Sequence, residues 1–214
     1  IGGGRLARRL GNLAVVRLFA AIYPPASARD EFATAVGQSR LGQAAAAGRS
    51  VGLTAPERWH VTVAFLGELP EEQAPEAVAA VAAGVDQWRA RGDSPLRLRL
   101  AGAGRFGRGK FTVMWAGLDG DVTRLRQLAA DVGQQLRRSR LPFDDRRPFR
   151  PHLTFARPAG RIPDPEVVAD LAALSGFRGR LWRVDSVQLM RSRLGPTPTY
   201  TQVATAPLQV AFGG

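Results

Sequence analysis

Residues 59–65 read Trp59-His60-Val61-Thr62-Val63-Ala64-Phe65, and residues 151–157 read Pro151-His152-Leu153-Thr154-Phe155-Ala156-Arg157. In both stretches His, Thr and Ala stand at alternate positions, with larger apolar residues between them. Successive side chains of a β-strand point to opposite faces of the sheet, so each stretch is predicted to be a strand with a chemical face and a core face. The recurrence indicates an internal duplication, whose halves would bring the two motifs together about a pseudo-twofold axis.

The hydrophobic pattern on either side of these stretches predicts further strands and helices. Strands are predicted over residues 14–22, 59–66, 96–101, 111–118, 149–156, 181–191 and 200–210. Helices are predicted over residues 27–47, 71–91, 121–140 (with Asp121 as the N-cap) and 165–174. This order is typical of an α+β or mixed α/β fold. We interpret residues 14–214 as a single domain and the Gly- and Arg-rich residues 1–13 as a flexible leader.

The composition excludes several kinds of chemistry. The sequence contains no cysteine and only two histidines, which excludes disulfides and thiolate catalysis and leaves little for a zinc centre. We therefore expect neither a metal nor another cofactor. No stretch approaches the roughly 18 consecutive apolar residues of a membrane span, so the protein is expected to be cytoplasmic and to have no membrane partner.

The charge of the chain points to an anionic partner. The formal charge is +12, and a strongly basic surface attracts phosphate groups. However, Lys110 is the only lysine among the 30 basic residues, so a general bias toward arginine explains the charge equally well. The charge supports a phosphate-binding function without establishing one.

The two histidines are the candidate catalytic residues. A single histidine on a strand is usually structural, but both histidines of this chain, His60 and His152, fall in matching His-x-Thr strands. One imidazole can deprotonate a nucleophile while the other protonates the leaving oxygen, which suits a phosphate ester. A 2′,3′-cyclic phosphate of RNA fits especially well, because its ring is strained and its leaving group is a tethered hydroxyl.

Other residues near the motifs are weaker candidates. The hydroxyls of Thr62 and Thr154 are predicted to donate to a phosphate oxygen, with β propensity as the plain alternative. Arg150 is predicted to lie on the face of His152 and to hold the phosphate or its flank; a solvated arginine at the strand end is an equal alternative. Three aromatic residues suit either base stacking or packing, the second role being favoured: Phe106, Phe149 and Tyr200. The pattern Gly102-x-Gly104-x-x-Gly107 lies between two hairpin strands and is interpreted as a turn rather than a dinucleotide loop.

These motifs and their flanks resemble the two-histidine (2H) phosphoesterase superfamily, and within it the bacterial RNA 2′,3′-cyclic phosphodiesterase branch, historically called 2′-5′ RNA ligase. The resemblance covers nearly the whole chain from Val16. It is carried by the stretches Arg17-Leu18-Phe19-Ala20-Ala21-Ile22, Arg58-Trp59-His60-Val61-Thr62-Val63-Ala64-Phe65-Leu66-Gly67-Glu68, Phe149-Arg150-Pro151-His152-Leu153-Thr154-Phe155-Ala156-Arg157, and Val187-Gln188-Leu189-Met190-Arg191-Ser192 through Gly195-Pro196 and Tyr200-Thr201.

The resemblance implies a bilobed, LigT-like α+β fold, with two pseudo-symmetric antiparallel sheets flanked by helices around a central cleft. It implies that His60 is the proton donor to the departing 3′ oxygen, that His152 is the proton acceptor that activates water, and that the product is a 2′-phosphate. Thr62 and Thr154 would bind the phosphate without a cofactor. The pair Val63-Ala64 departs from the family, which more usually has Leu and Lys there, so a lysine contact is not expected.

Two alternatives to RNA hydrolysis stay open. The protein could be a related phosphoesterase that acts on a small nucleotide such as ADP-ribose 1″,2″-cyclic phosphate. Alternatively, it could be a binding module whose basic cleft holds RNA ends without hydrolysing them. Ligation of RNA through a 2′-5′ linkage, with an RNA 5′ hydroxyl replacing water, is expected as a side activity. The predicted partner is RNA with a 2′,3′-cyclic phosphate end, tRNA fragments among the candidates, and the chain is expected to be a monomer.

Overall fold

The computed structural model describes residues 14–92, 94–146, 148–195 and 198–209. The predicted leader at residues 1–13 and the predicted end of the last strand at Val210 lie outside this part of the chain. The strands are β1 (Val15–Ile22), β2 (Val61–Pro70), β3 (Arg97–Phe106), β4 (Val113–Gly120), β5 (Leu153–Ala156), β6 (Trp182–Arg183), β7 (Ser186–Arg193) and β8 (Thr199–Pro207). The helices are α1 (Ala26–Gln38), α2 (Arg40–Ala46), α3 (Ala74–Arg89), α4 (Val122–Arg138) and α5 (Asp164–Leu174).

The strands form one antiparallel sheet in the order β6-β3-β4-β5-β2-β1-β7-β8. The sheet has two four-stranded halves, and in the described part of the chain they are joined by a single pair, Val61 of β2 with Leu153 of β5. One half therefore ends at the first motif strand and the other half at the second. The arrangement confirms the predicted α+β fold with two related antiparallel halves.

The helices cross from one half of the sheet to the other. Helix α4 follows β4 but packs against β2 and α3, and α1 follows β1 but contacts β3. Helices α3 and α4 approach closely at Gly84, where a Cβ would lie 2.5 Å from the Cα of Val132. The predicted inner face of α4 is confirmed, because its residues have an exposed fraction of 0%: Leu125, Leu128, Val132 and Leu136.

The predicted helix over residues 27–47 is two helices that meet at Ser39. The backbone of Ser39 is extended, and its hydroxyl accepts a hydrogen bond from the amide of Gly42 at 3.2 Å. The carboxylate of Asp170 in α5 accepts hydrogen bonds from the amides of Arg40 and Leu41, both at 2.9 Å. These donors are the unsatisfied amides of a helix N-terminus, so a residue distant in sequence fixes where α2 begins.

Two further sequence predictions are corrected. Asp121 stands at the predicted N-cap position of α4, but its side chain makes no capping hydrogen bond there; its carboxylate accepts a hydrogen bond from the amide of Arg97 at 2.9 Å. The glycine pattern is not a turn throughout, because Gly102 and Gly104 belong to β3 and only Gly107 begins the connection to β4. A Cβ at Gly104 would lie 2.3 Å from the ring of Trp115, so this glycine makes room for the indole.

Within the described ranges, no helix combines the length and apolarity that crossing a bilayer requires.

Candidate active site

The two motif strands lie side by side at the centre of the sheet. Val61 and Leu153 pair with each other and are completely buried, with exposed fractions of 0%. His60 and Thr62 are half-buried on the opposite face, and His152 and Thr154 are half-buried in the same way. The predicted division of each strand into a core face and a chemical face is therefore confirmed, and the duplication brings both chemical faces together.

Each motif strand carries one extra residue directly after its threonine. Positions 62 and 64 lie opposite consecutive residues of β1, which makes Val63 the extra residue, and positions 154 and 156 lie opposite consecutive residues of β4, which makes Phe155 the extra residue. Such a bulge interrupts the alternation of side chains and bends the strand. Ala64 and Ala156 are consequently buried at 7% and 0% exposure. The chemical face of each motif thus ends at the threonine.

Three aromatic rings surround His60. The ring centroid of Phe19 lies 4.9 Å from that of the imidazole, and the centroid of Tyr23 lies 5.5 Å away. Tyr200 from β8 meets the imidazole edge-on at 5.4 Å. Phe19 itself is only 4% exposed. These rings remove water from much of the imidazole surface.

His152 has a related but more open setting. The ring of Phe106, at the end of β3, meets it edge-on with centroids 5.0 Å apart. Trp115 of β4 lies farther away, with its ring centroid 6.4 Å from the imidazole. Of the three aromatic residues singled out in the sequence, Phe106 and Tyr200 therefore contact a histidine, whereas Phe149 packs against the main core.

The same hydrogen bond holds both imidazoles. Nδ1 of His60 lies 2.7 Å from the carbonyl oxygen of Arg58, and Nδ1 of His152 lies 2.7 Å from the carbonyl oxygen of Arg150. A carbonyl oxygen only accepts, so Nδ1 carries the hydrogen and donates it. Each neutral imidazole therefore presents an unprotonated Nε2. Because Arg precedes each His by two residues, the repeat itself could have identified Arg58 as the counterpart of Arg150.

The pKa of His60 is lowered from its ordinary value of 6.5. The main cause is burial, which disfavours the charged imidazolium. The hydrogen bond to the carbonyl of Arg58 opposes this shift, while positive charge on His152 and on Arg157 adds to it. The contribution of His152 accords with the adjacent positions of the two motif strands.

The remaining predicted site residues differ in how the structure places them. The hydroxyls of Thr62 and Thr154 form no hydrogen bond with any described residue, so both can donate to a ligand. The side chain of Arg150 is exposed, and it is the backbone carbonyl of this residue that contacts His152. A phosphate contact by the Arg150 guanidinium stays a prediction.

Two polar groups beside the histidines were not predicted from the sequence. The Tyr23 hydroxyl and the Trp115 indole N–H are buried without a hydrogen-bond partner among the described residues. Burial, with a smaller contribution from Tyr200, raises the pKa of Tyr23 to about 12, so its phenol stays protonated. Tyr23 follows a strand in the sequence Tyr-Pro-Pro and resembles a simple strand terminator, which explains why no pattern marked it.

No group of three or more His, Cys, Asp or Glu side chains that could hold a metal ion occurs among the residues described.

Comparison with known proteins finds a matching family model and sequence relatives that share one name. The model of the 2′-5′ RNA ligase superfamily matches residues 28–196. The chain is 34% identical over 164 residues to the RNA 2′,3′-cyclic phosphodiesterase of Thermus thermophilus, covering 74% of this chain and 76% of that protein. It is 38% identical over 165 residues to the protein of the same name from Geobacillus stearothermophilus, covering 74% of this chain. The match spans only about half, 48%, of the Geobacillus protein.

Solved structures agree with the sequence relatives. The Thermus thermophilus protein TT0787 superposes with a TM-score of 0.65 at 28% identity, covering 91% of this chain and 99% of that one. LigT of Escherichia coli in its apo form superposes with a TM-score of 0.61 at 25% identity, covering 92% of this chain and 99% of that one. The resemblance deduced from the paired His-x-Thr motifs is confirmed by family, sequence and fold together. The chain belongs to the 2′-5′ RNA ligase superfamily.

Proposed function

We propose that this protein hydrolyses RNA 2′,3′-cyclic phosphate ends to 2′-phosphates, with His60 and His152 as an acid/base pair. The observation that carries the proposal is the matching pair of imidazoles on neighbouring central strands, each bound through Nδ1 to the carbonyl two residues upstream. Relatives in Thermus thermophilus and Escherichia coli are named RNA 2′,3′-cyclic phosphodiesterase, which supports the same substrate class here.

The proposed reaction uses the two Nε2 atoms. A water oxygen attacks phosphorus while Nε2 of His152 takes a proton from this water. The bond between phosphorus and the 3′ oxygen breaks, and the protonated Nε2 of His60 gives its proton to that oxygen. The products are a 2′-phosphate and a 3′ hydroxyl, and proton exchange with solvent restores both imidazoles.

The role of proton donor requires a change in the pKa of His60 when substrate binds. Burial lowers this pKa in the free protein, so the neutral form is favoured before substrate arrives. The cyclic phosphate is an anion, and an anion beside an imidazolium raises its pKa. The substrate therefore supplies the charge that keeps His60 protonated, and proton donation is linked to an occupied site.

The hydroxyls complete the phosphate site in this proposal. Thr62 and Thr154 lie on the histidine face and have no other partner among the described residues. Each can donate to a non-bridging phosphate oxygen, on which charge increases as water attacks. The exposed guanidinium of Arg150 is the remaining candidate contact at this end of the site.

The same site can join RNA ends when an RNA 5′ hydroxyl replaces water as the nucleophile. The 5′ oxygen then attacks phosphorus, the bond between phosphorus and the 3′ oxygen breaks as in hydrolysis, and a 2′-5′ linkage forms. Water is present at far higher concentration than any RNA end, so we expect hydrolysis to dominate at ordinary RNA concentrations. An equilibrium assay in which ligated product exceeds hydrolysed product would contradict this expectation.

The first test is turnover of a short RNA ending in a 2′,3′-cyclic phosphate, in the presence of EDTA, with identification of the phosphate isomer. We expect 2′-phosphate, and we expect His60→Ala and His152→Ala each to lower kcat by roughly 10²–10⁴-fold. An RNA ending in a 3′-phosphate serves as the control substrate and should not react.

Each contrary outcome has a distinct meaning. Turnover that survives either histidine substitution contradicts the acid/base pair. Failure on RNA together with turnover of ADP-ribose 1″,2″-cyclic phosphate assigns a small-nucleotide substrate to the same site. Equal RNA affinity of wild type and both variants, without turnover by any of them, indicates a module that only binds RNA ends.

A further inference from the structure

A cavity of about 540 Å³ is lined in part by Arg58 and Tyr200, two residues that also contact His60. Its size falls in the range of roughly 300–1,000 Å³ that is typical of small-molecule sites. Four arginines from two separate stretches of the chain line it: Arg49, Arg58, Arg157 and Arg161. No part of the sequence pattern indicated that these residues would meet.

The cavity adjoins the candidate active site through shared neighbouring residues. Tyr200 lines the cavity, and its ring also meets the His60 imidazole edge-on at 5.4 Å. Arg157 lines the cavity and contributes to the lowered pKa of His60. The cavity and the His60 imidazole therefore have Tyr200 and Arg157 as common neighbours.

The loop that lines the cavity lies in close backbone contact with the second motif strand. The amide of Arg157 donates to the carbonyl of Gly52 at 2.8 Å, and Leu53 forms a bridge with Ala156 of β5. Gly52 has a positive φ of 74°, and a Cβ there would lie 2.1 Å from the carbonyl oxygen of Arg157. Glycine is thus required for this loop to lie against the second motif strand.

Backbone carbonyls hold two of the guanidinium groups. Nε of Arg161 donates to the carbonyl of Pro158 at 3.0 Å, and Nη1 of Arg58 donates to the carbonyl of Pro198 at 3.2 Å. A guanidinium has five N–H donors, so both groups keep donors for a ligand. Their orientation is set by the protein before any ligand arrives.

The positive charge of the cavity is not neutralised by the protein. None of the described lining residues is acidic, and none of the four arginines forms an ion pair with a described carboxylate. Ten other arginines do pair with Asp or Glu. Other exposed arginines, such as Arg40 and Arg193, also form no ion pair with a described carboxylate, so these four are distinguished by their convergence on one cavity. An unpaired, oriented arginine group suits a phosphate.

We propose that this cavity binds the phosphodiester that precedes the cyclic phosphate in an RNA chain. The inference rests on the proposed function and refines it, because it makes the substrate an oligonucleotide end rather than a cyclic mononucleotide. The group bound in the cavity would be a second phosphate that is joined to the reacting nucleotide. The pyrophosphate of ADP-ribose 1″,2″-cyclic phosphate carries the same chemistry, and the experiment separates the two sources.

The test compares three substrates with the same cyclic 3′-terminal nucleotide: the mononucleotide, a dinucleotide with a normal phosphodiester, and a dinucleotide with a neutral methylphosphonate linkage. We expect the normal dinucleotide to exceed the methylphosphonate in kcat/KM by about tenfold, as charge-assisted hydrogen bonds at a partly exposed site would give. The variant Arg49→Ala/Arg161→Ala should abolish this ratio. Arg58 and Arg157 are left intact because they contact or influence His60.

A matched control removes the same kind of charge elsewhere. Arg138 is exposed at the end of α4 and does not line the cavity, so Arg138→Ala should leave the ratio unchanged. The dependence of substrate affinity on salt concentration gives an independent readout. Affinity falls as salt rises, and each neutralised phosphate of a single strand makes the slope of log affinity against log salt steeper by roughly 0.7. The wild-type slope should be steeper for the normal dinucleotide than for the methylphosphonate.

The outcomes separate this inference from the proposed function. If no cyclic phosphate is hydrolysed, the proposed function fails. If all three substrates are hydrolysed and the charged linkage gives no advantage, or the double variant keeps that advantage, the cavity inference is wrong. If the double variant impairs only ADP-ribose 1″,2″-cyclic phosphate, the cavity holds a pyrophosphate, and the RNA assignment is overturned.

Discussion

Phe32 of helix α1 contacts both motif strands from the core side of the sheet. Its ring is completely buried, with an exposed fraction of 0%. Its centroid lies 5.4 Å from the ring of Trp59, which precedes His60, and 5.4 Å from the ring of Phe155, which follows Thr154. One side chain thus packs against both motif strands close to the single pair that joins the halves.

Replacing Phe32 with alanine should destabilise the protein by about 4 kcal/mol. Phe→Ala substitutions in a core cost roughly 3–5 kcal/mol through lost burial and the cavity left behind. The three ring contacts of Phe32, including one with Phe177 at 5.1 Å, support a value near the middle of that range. For a chain of this size we expect the Tm to fall by roughly 8–16 °C.

Urea unfolding followed by tryptophan fluorescence measures the effect. The control is Phe111→Ala, because Phe111 is 72% exposed and the same atoms are removed from solvent rather than from the core. The control should change the free energy of unfolding by less than about 0.5 kcal/mol. A loss below about 1 kcal/mol for Phe32→Ala would refute the view that this ring holds the motif strands together. At temperatures where the variant stays folded, kcat should also fall.

Three further predictions concern titration and stability. Because the chain has two histidines, NMR should resolve His60 and show a pKa below 6.5. This pKa should rise when a 2′-nucleotide is added, and also in His152→Gln, which removes a positive neighbour. An unchanged pKa of His60 in both cases would contradict the coupling. With only two tyrosines present, ultraviolet titration should show one phenol with a pKa near 12 that disappears in Tyr23→Phe. Asp170→Asn should lower the free energy of unfolding by about 1.5–3 kcal/mol, since its charged oxygens accept two helix amides; a neutral effect in urea unfolding would show that α2 does not depend on this cap.

The sequence was informative where a local pattern and the tertiary structure agree. The alternation around His60 and His152 predicted which residues face the core, and the spacing of leucines predicted the inner face of α4. The duplication predicted that the two motifs would meet. Each of these inferences depends on residues within one strand or helix, or on comparing two copies of one pattern.

The sequence failed where residues distant along the chain decide the outcome. The break between α1 and α2 depends on the carboxylate of Asp170, which no local pattern links to Arg40. The bulges at Val63 and Phe155 arise from pairing with neighbouring strands, so they cannot be deduced from either motif alone. The arginine-lined cavity is assembled from loops near residues 49–58, from the end of β5 and from the segment before β8.

The duplication gives the two imidazoles the same hydrogen bond but different surroundings. Three rings enclose His60 and two lie near His152, while Arg157 adds positive charge on the side of His60. In the proposed reaction His152 takes a proton from the nucleophile and His60 gives one to the 3′ oxygen, whether the nucleophile is water or an RNA 5′ hydroxyl. Two rings that both present Nε2 can serve either nucleophile without rearrangement. We therefore expect the relative amounts of water and RNA 5′ hydroxyl, rather than the shape of the site, to determine whether the cyclic phosphate is hydrolysed or joined to another RNA.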